Sequence, residues 1–260
     1  MKTLQTFIAI TLLSLFTVSC SSDGDSDTAK PVVLLTKVIK SSGHTIYDYD
    51  ANNKLILVED VNPGFSTYKT TFVYNSNGKI EESLTVQEGG IYPSPPVKKT
   101  YLYDAQNRLI EKKHFQASLK NPALYDYLKS DFFEYNGSQI TFKSQKKESN
   151  IPDTRIIYDF DTKGNIVKTV AYSQMSANNP NGLIFFTDTS VYDDKFNPET
   201  SLPSEYTFPN FTKNNEVKLT TLMSNQTYII DYAYEYNEDG YVKKRTSSGQ
   251  SDVTYEYKKI

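Results

Sequence analysis

The chain predicts an all-β fold, an antiparallel meander of repeated β-hairpins forming a curved or barrel-like sheet. Three observations carry the prediction. A short phrase recurs: an aromatic residue, then Asp or Asn, a polar stretch, a basic or polar residue, and Leu or Ile. Large aromatics alternate with small or charged residues at period 2, as in Tyr232, Tyr234 and Tyr236 or Val253, Tyr255 and Tyr257, which marks half-buried strands. Beyond the N-terminal segment there is no long run of apolar residues at the helical period of 3.6.

Taken in order, residues 1–19 read as a targeting segment: Lys2 supplies a positive start, and Phe7 to Phe16 is apolar but short for a membrane span. Ser19 then precedes Cys20, the one cysteine of the chain, which excludes a disulfide. A lone cysteine directly after such a run resembles a bacterial lipobox, with Thr17 standing where Leu is commonest. The resemblance implies that Cys20 becomes the lipidated N-terminus, stably anchored because each buried CH₂ of the acyl chains contributes about 0.8 kcal/mol.

Residues 20–31 form a flexible acidic tether, Ser21-Ser22-Asp23-Gly24-Asp25-Ser26-Asp27-Thr28-Ala29-Lys30-Pro31, with nothing large enough to pack. It resembles the acidic export signal of surface lipoproteins of the Bacteroidota, and Asp27-Thr28-Ala29 resembles the O-glycosylation motif of that phylum.

Residues 32–260 carry the repeats. Tyr49-Asp50-Ala51-Asn52-Asn53-Lys54-Leu55, Tyr74-Asn75-Ser76-Asn77-Gly78-Lys79-Ile80 and Tyr103-Asp104-Ala105-Gln106-Asn107-Arg108-Leu109 state the phrase in full. Each reads as one hairpin. The aromatic ends a strand, the Asp or Asn side chain caps the turn, Gly or Asn takes positive φ, and the aliphatic residue opens the returning strand on the matching face. Tyr135-Asn136-Gly137-Ser138-Gln139-Ile140 is one residue short, Phe160-Asp161 replaces Tyr with Phe, and Tyr236-Asn237 ends the series. The longer connections carry prolines (Pro93, Pro95, Pro96, Pro122, Pro152, Pro180) and are expected at one edge of the sheet. Tyr192-Asp193-Asp194-Lys195-Phe196-Asn197-Pro198 begins like a repeat but runs into Pro198 and Pro203, predicting an irregular excursion.

The phrase resembles the YD repeat, also called the RHS repeat, and the whole pattern resembles YD-repeat lipoproteins of the Bacteroidota of unknown function. The resemblance implies successive hairpins wound into one antiparallel sheet. It spans roughly residues 45–257 with about seven copies and no toxin domain after them.

Chemistry is sparse. The two histidines, His44 and His114, are expected at the surface or at a sheet edge, and with Cys20 committed to lipid they assemble neither a nucleophilic triad nor a zinc site. No phosphate-binding glycine-rich loop is present. Asp48, Asp50, Asn52 and Glu59, and again Asp159, Asp161 and Gly164, echo a calcium loop; the first set lacks its glycine and the second has Val170 in place of the distal acid.

A net charge of −3 over the whole chain argues against nucleic acid or an anionic membrane surface as partner. The 21 Tyr and 14 Phe, with no Trp, must mostly be core, because nothing else supplies it. The expectation is a non-catalytic binding or structural lipoprotein of the outer membrane, exposed at the cell surface and without cofactor. Its partners are then the membrane, through lipid on Cys20, and a glycan, peptide or protein ligand. A carboxylate-dependent glycan hydrolase is the alternative.

Overall fold

The computed structural model describes residues 33–208 and 212–260. Cys20, the targeting segment and the acidic tether lie outside the described residues.

The strands are β1 (Val33–Lys40), β2 (Gly43–Tyr49), β3 (Leu55–Asn62), β4 (Ser66–Tyr74), β5 (Ile80–Glu88), β6 (Val97–Tyr103), β7 (Leu109–Ala117) and β8 (Tyr125–Asn136). They continue as β9 (Gln139–Lys146), β10 (Thr154–Phe160), β11 (Ile166–Ser173), β12 (Leu183–Phe196), β13 (Asn214–Met223), β14 (Gln226–Tyr236), β15 (Val242–Ser247) and β16 (Val253–Lys259). Each pairs antiparallel with its neighbours in sequence, and β1 pairs with β16, so the predicted meander closes as a barrel of sixteen strands. The repeat turns all lie at one end, the turn end, where Val33 also begins. The proline-bearing connections lie together at the other, the loop end.

Every residue of the phrase has a physical task. In the second hairpin Asp50 Oδ1 accepts from the backbone N–H of Asn52 (2.8 Å) and Lys54 (2.9 Å), while Asn53 takes φ 62°. Asn75 and Asp104 cap their turns in the same way, with Gly78 (φ 74°) and Asn107 (φ 58°) at the left-handed position. The basic residue reaches forward: Lys54 lies over the Tyr74 ring at 5.3 Å and Arg108 over the Tyr135 ring at 4.6 Å.

The tyrosine reaches back. Its hydroxyl donates to the carbonyl of the residue that opened the preceding repeat's return strand. Tyr74 bonds Leu55 O (2.6 Å), Tyr103 bonds Ile80 O (2.6 Å), Tyr135 bonds Leu109 O (2.8 Å), and Tyr192 bonds Ile166 O (2.6 Å). Tyr257 does the same to Val242 O (2.8 Å), and Tyr49, in the first repeat, bonds Leu35 O within β1 (2.8 Å). Burial raises the pKa of Tyr49, Tyr74 and Tyr135 to about 12, so these hydroxyls stay protonated donors.

A bulge at each full repeat turn shifts the register by one, for example between Leu102 and Tyr103 opposite Glu111 and Leu109. The return strand therefore points inward at its first residue and then at the third and fifth beyond it. Leu55 is followed inside by Val58, Ile80 by Ser83, and Leu109 by Lys112 and His114.

The inner wall is aromatic and aliphatic, with Leu35, Val38, Tyr47, Val58, Phe72, Tyr101, Phe133 and Tyr255 in one core. The outer wall carries cross-strand ion pairs: Lys69 bridges Glu59 (3.3 Å) and Glu88 (2.9 Å), Lys98 meets Glu82, and Lys143 meets Glu134. Two exposed apolar residues on that wall have acids opposite them, Val73 facing Glu82 and Leu102 facing Glu111. A membrane-spanning barrel has a continuous apolar outer band; here ion pairs interrupt the outer wall on β3–β9, while Val191, Leu222 and Ile229 are exposed on β12–β14.

Candidate functional site

The excursion between β12 and β13 organises the lumen. Tyr192 and Asp193 begin it as in any repeat, and Asp193 Oδ1 accepts from Lys195 N (2.9 Å). The chain then continues inward instead of turning back. Asn197 caps a 3₁₀ turn over Pro198–Ser201, its side chain accepting from Glu199 N (3.0 Å), and a single helical turn follows, α1 (Ser204–Thr207). Pro198 sits at the start of that turn, where its missing N–H leaves no hydrogen bond unmade. These elements are too short to leave a helical period in the sequence.

The base of the excursion is clamped by amides. Asn197 Nδ2 donates to Thr212 Oγ1 (3.0 Å), Asn214 N to Asn165 Oδ1 (2.9 Å), and Asn215 Nδ2 to Asp193 Oδ2 (3.1 Å). Asn165 and Asn215 are buried there.

The excursion packs into the lumen against β1–β9. Leu202 is 6% exposed in the core, the Tyr206 ring meets Phe72 edge-on at 5.4 Å, and Phe208 meets Phe133 edge-on at 4.7 Å. Glu205, buried, pairs with Lys79 of the second repeat turn at 2.7 Å. Leu35 N donates to Ser201 Oγ at 3.2 Å, tying the plug to β1.

Beside the plug lies a cluster of basic residues. Lys112 Nζ donates to Phe208 O (3.1 Å) and sits over the rings of Tyr101 and Phe133 (5.8 and 5.6 Å). Burial lowers its pKa to about 8, with Lys99 adding repulsion, and burial lowers Lys99 as well. His114, expected at the surface, instead faces the lumen with its side chain 12% exposed, because the bulge after Tyr103 reverses the phase of β7. Its Nε2 lies 2.6 Å from Asp131 Oδ2. Burial lowers the His114 pKa despite the neighbouring carboxylate. Burial by itself would raise Asp131, but hydrogen bonds from His114 and Ser144 and the charge of Lys129 hold it at about 2. His44 lies opposite Val61, on the outward-facing register of β2.

Across the lumen, β10–β16 and the start of the excursion enclose a cavity of about 410 Å³. Tyr158, Tyr192, Tyr234 and Tyr255 give it aromatic walls, and Asp188, Glu199, Glu216 and Arg245 give it charge. Asp188 accepts from Thr221 Oγ1 (2.6 Å), and Arg245 lies over the Tyr232 ring at 5.3 Å. Burial raises the carboxyl pKa of Glu199, and burial followed by repulsion from Asp188 raises that of Glu216. The lumen is thus basic on β6–β8 and acidic on β12–β13.

The sequence pointed to the excursion but to none of these charged residues. Arg245 and Lys112 each stand three residues past the repeat aliphatic, the inward position created by the bulge, which is the signal that marks them. The calcium-like sets do not assemble. Asp50 and Asp161 spend their oxygens on turn N–H groups, and among the described residues no three metal-binding side chains converge.

No protein-family model matches the chain, and no curated protein matches it. Solved structures similar to it include a porin-like protein from Bacteroides vulgatus, at 13% identity and TM-score 0.44, covering 87% of this chain and 100% of that one. A porin-like protein from Bacteroides uniformis aligns at 12% identity and TM-score 0.38, covering 87% of this chain and 95% of that one.

Proposed function

We propose that the chain is an outer-membrane lipoprotein, held at the cell surface through lipid on Cys20, whose barrel stands in water and binds a small ligand in its lumen without transforming it. The observation that carries the binding reading is the cavity on β10–β16. Its size falls in the range of small-ligand sites, and it combines four tyrosine rings with a few charged groups that fix orientation. The charged outer wall supports an external anchor, since such a wall is poorly suited to hydrocarbon. A short glycan is the ligand class that stacked rings and convergent polar groups serve best, with a short peptide next.

Thermal-shift and calorimetric titration against panels of oligosaccharides and peptides tests binding. At least one ligand is expected to stabilise the wild type but not Ser190→Phe, which places a ring in the cavity. If no member of either panel binds, the lumen reading fails. Cys20→Ala, or globomycin treatment, is expected to release or mislocalise the protein; unchanged membrane fractionation removes the anchoring claim.

One observation favours a second reading, glycan hydrolysis: Glu199 and Glu216 line one cavity and both have raised pKa values, as a general acid requires. Release of reducing ends from a polysaccharide panel, abolished by Glu216→Gln, is the result that selects it.

A further inference from the structure

The loop end of the barrel exposes large apolar side chains on loop after loop. Phe65 lies between β3 and β4, Ile91 and Tyr92 between β5 and β6, Leu119 and Leu124 between β7 and β8, and Phe185 at the start of β12. Ile91 and Tyr92 are each 84% exposed and Leu119 85%. Exposed apolar residues such as Val73, Val191 and Phe196 occur elsewhere on the barrel and are ordinary, but the most exposed ones, Phe65, Ile91, Tyr92, Leu119, Leu124 and Ile184, all lie at this end.

The loops are built to hold these side chains outward. Gln87 Nε2 donates to the carbonyls of Gly89 and Tyr92 (3.2 Å each), and Gln87 Oε1 accepts from Ser94 N (2.6 Å). Leu124 N donates to Asn121 O (2.9 Å), and Ser118 N to Leu124 O (2.8 Å). Pro63, Pro93, Pro95, Pro96 and Pro122 stiffen the same segments.

We propose that this end of the barrel enters the interfacial layer of a lipid bilayer, with the loop-tip side chains as wedges. Three features select a bilayer over a protein partner. The apolar groups sit on separate loop tips around a barrel mouth, an arrangement that suits a planar surface. Aliphatic side chains with Tyr92 among them are the mixture that favours the headgroup boundary. Charge is nearly missing from the segments themselves: residues 62–65, 89–96 and 178–185 contain none, and residues 118–124 contain only Lys120.

The anchor is compatible with this contact although Val33 starts at the turn end. Thirteen residues from Cys20 to Val33 span at most about 45 Å, whereas the nine residues of β4 extend about 30 Å and rise less when tilted.

The chain contains no Trp, so a single introduced Trp reports only its own site. The lipidated full-length protein carrying Tyr92→Trp, Leu119→Trp or, at the turn end, Gln106→Trp is reconstituted on vesicles of phosphatidylethanolamine and phosphatidylcholine with brominated acyl chains. The Tyr92→Trp and Leu119→Trp proteins are expected to show blue-shifted emission that loses about half its intensity, with Gln106→Trp unchanged, as burial of the loops into the interface requires. Equal quenching at both ends, or none at the loop end, overturns the proposal. A blue shift that appears without vesicles and grows with protein concentration overturns it in favour of a second copy. In a second arm, unlipidated Cys20→Ala protein is expected to co-sediment with the vesicles, and the added pair Ile91→Ser and Tyr92→Ser to abolish this. Equal sedimentation of the two, or none by either, also refutes it.

Discussion

Replacing Tyr103 by Phe deletes one hydroxyl and little else, because the ring keeps its place beside the core. The donor to Ile80 O, at 2.6 Å, is lost, and Ile80 is fully buried. A neutral hydrogen bond contributes about 1 kcal/mol net, and a carbonyl left short of a partner away from water costs about 1–3 kcal/mol. The expected loss is about 1–2 kcal/mol. For a domain of this size each kcal/mol moves Tm by roughly 2–4 °C, so Tm falls by about 2–8 °C. Differential scanning calorimetry measures it, with Tyr92→Phe as the control, since Tyr92 is a solvent-facing loop residue expected to change Tm by less than about 1 °C. Tyr49→Phe and Tyr192→Phe act on rungs far apart in the barrel, on Leu35 O and Ile166 O, so their costs add within about 0.5 kcal/mol. A Tyr103→Phe protein that melts with the wild type refutes the claim that these hydroxyls join repeat to repeat.

Raised phenol pKa values mean that the folded state holds its protons above pH 10, where the unfolded chain gives them up. Stability from the ladder is complete below about pH 10 and falls as pH rises beyond it. Absorbance titration at 295 nm should show the exposed tyrosines ionising first and the ladder tyrosines only together with unfolding; a single smooth transition near pH 10 with the fold intact contradicts this. Asp131→Asn leaves Lys129 and Lys112 without their carboxylate and should cost about 2–3 kcal/mol in urea denaturation at pH 7. Because folding lowers the pKa of Asp131 to about 2, and lowers that of His114 as well, the wild type loses stability as pH falls below about 6.5 and further below about 4. The lower of those two steps should flatten in Asp131→Asn. Leu202→Ala empties part of the plug and is expected to cost about 2–4 kcal/mol; a change below about 1 kcal/mol would mean that the excursion is not part of the core.

The hairpins were legible because each repeat states its own turn: Asp104 to cap, Asn107 for positive φ, Tyr103 and Leu109 to close the pair. Placing the proline loops at one edge followed from the same spacing. Closure was not legible, since the β1–β16 pairing joins residues more than 200 apart and leaves no local mark. His114 was misjudged because period-2 counting from Leu109 puts it outside, while the bulge puts it inside. The excursion announced itself through Pro198 and Pro203. Its destination in the lumen depends on Phe72, Phe133 and Lys79, which lie on distant strands.

The tyrosine ladder has a direction. Each hydroxyl bonds a strand that precedes it in the chain, so every new hairpin is joined to the one before it by a contact of short sequence separation. The seam between β1 and β16 has no tyrosine rung. It joins by backbone pairing, by Thr36 Oγ1 donating to Glu256 O at 3.1 Å and by Ser41 Oγ donating to Ser251 Oγ at 2.6 Å. It is the ladder with the greatest chain separation, so bringing its two strands together carries the largest loop-closure entropy of any pairing in the barrel.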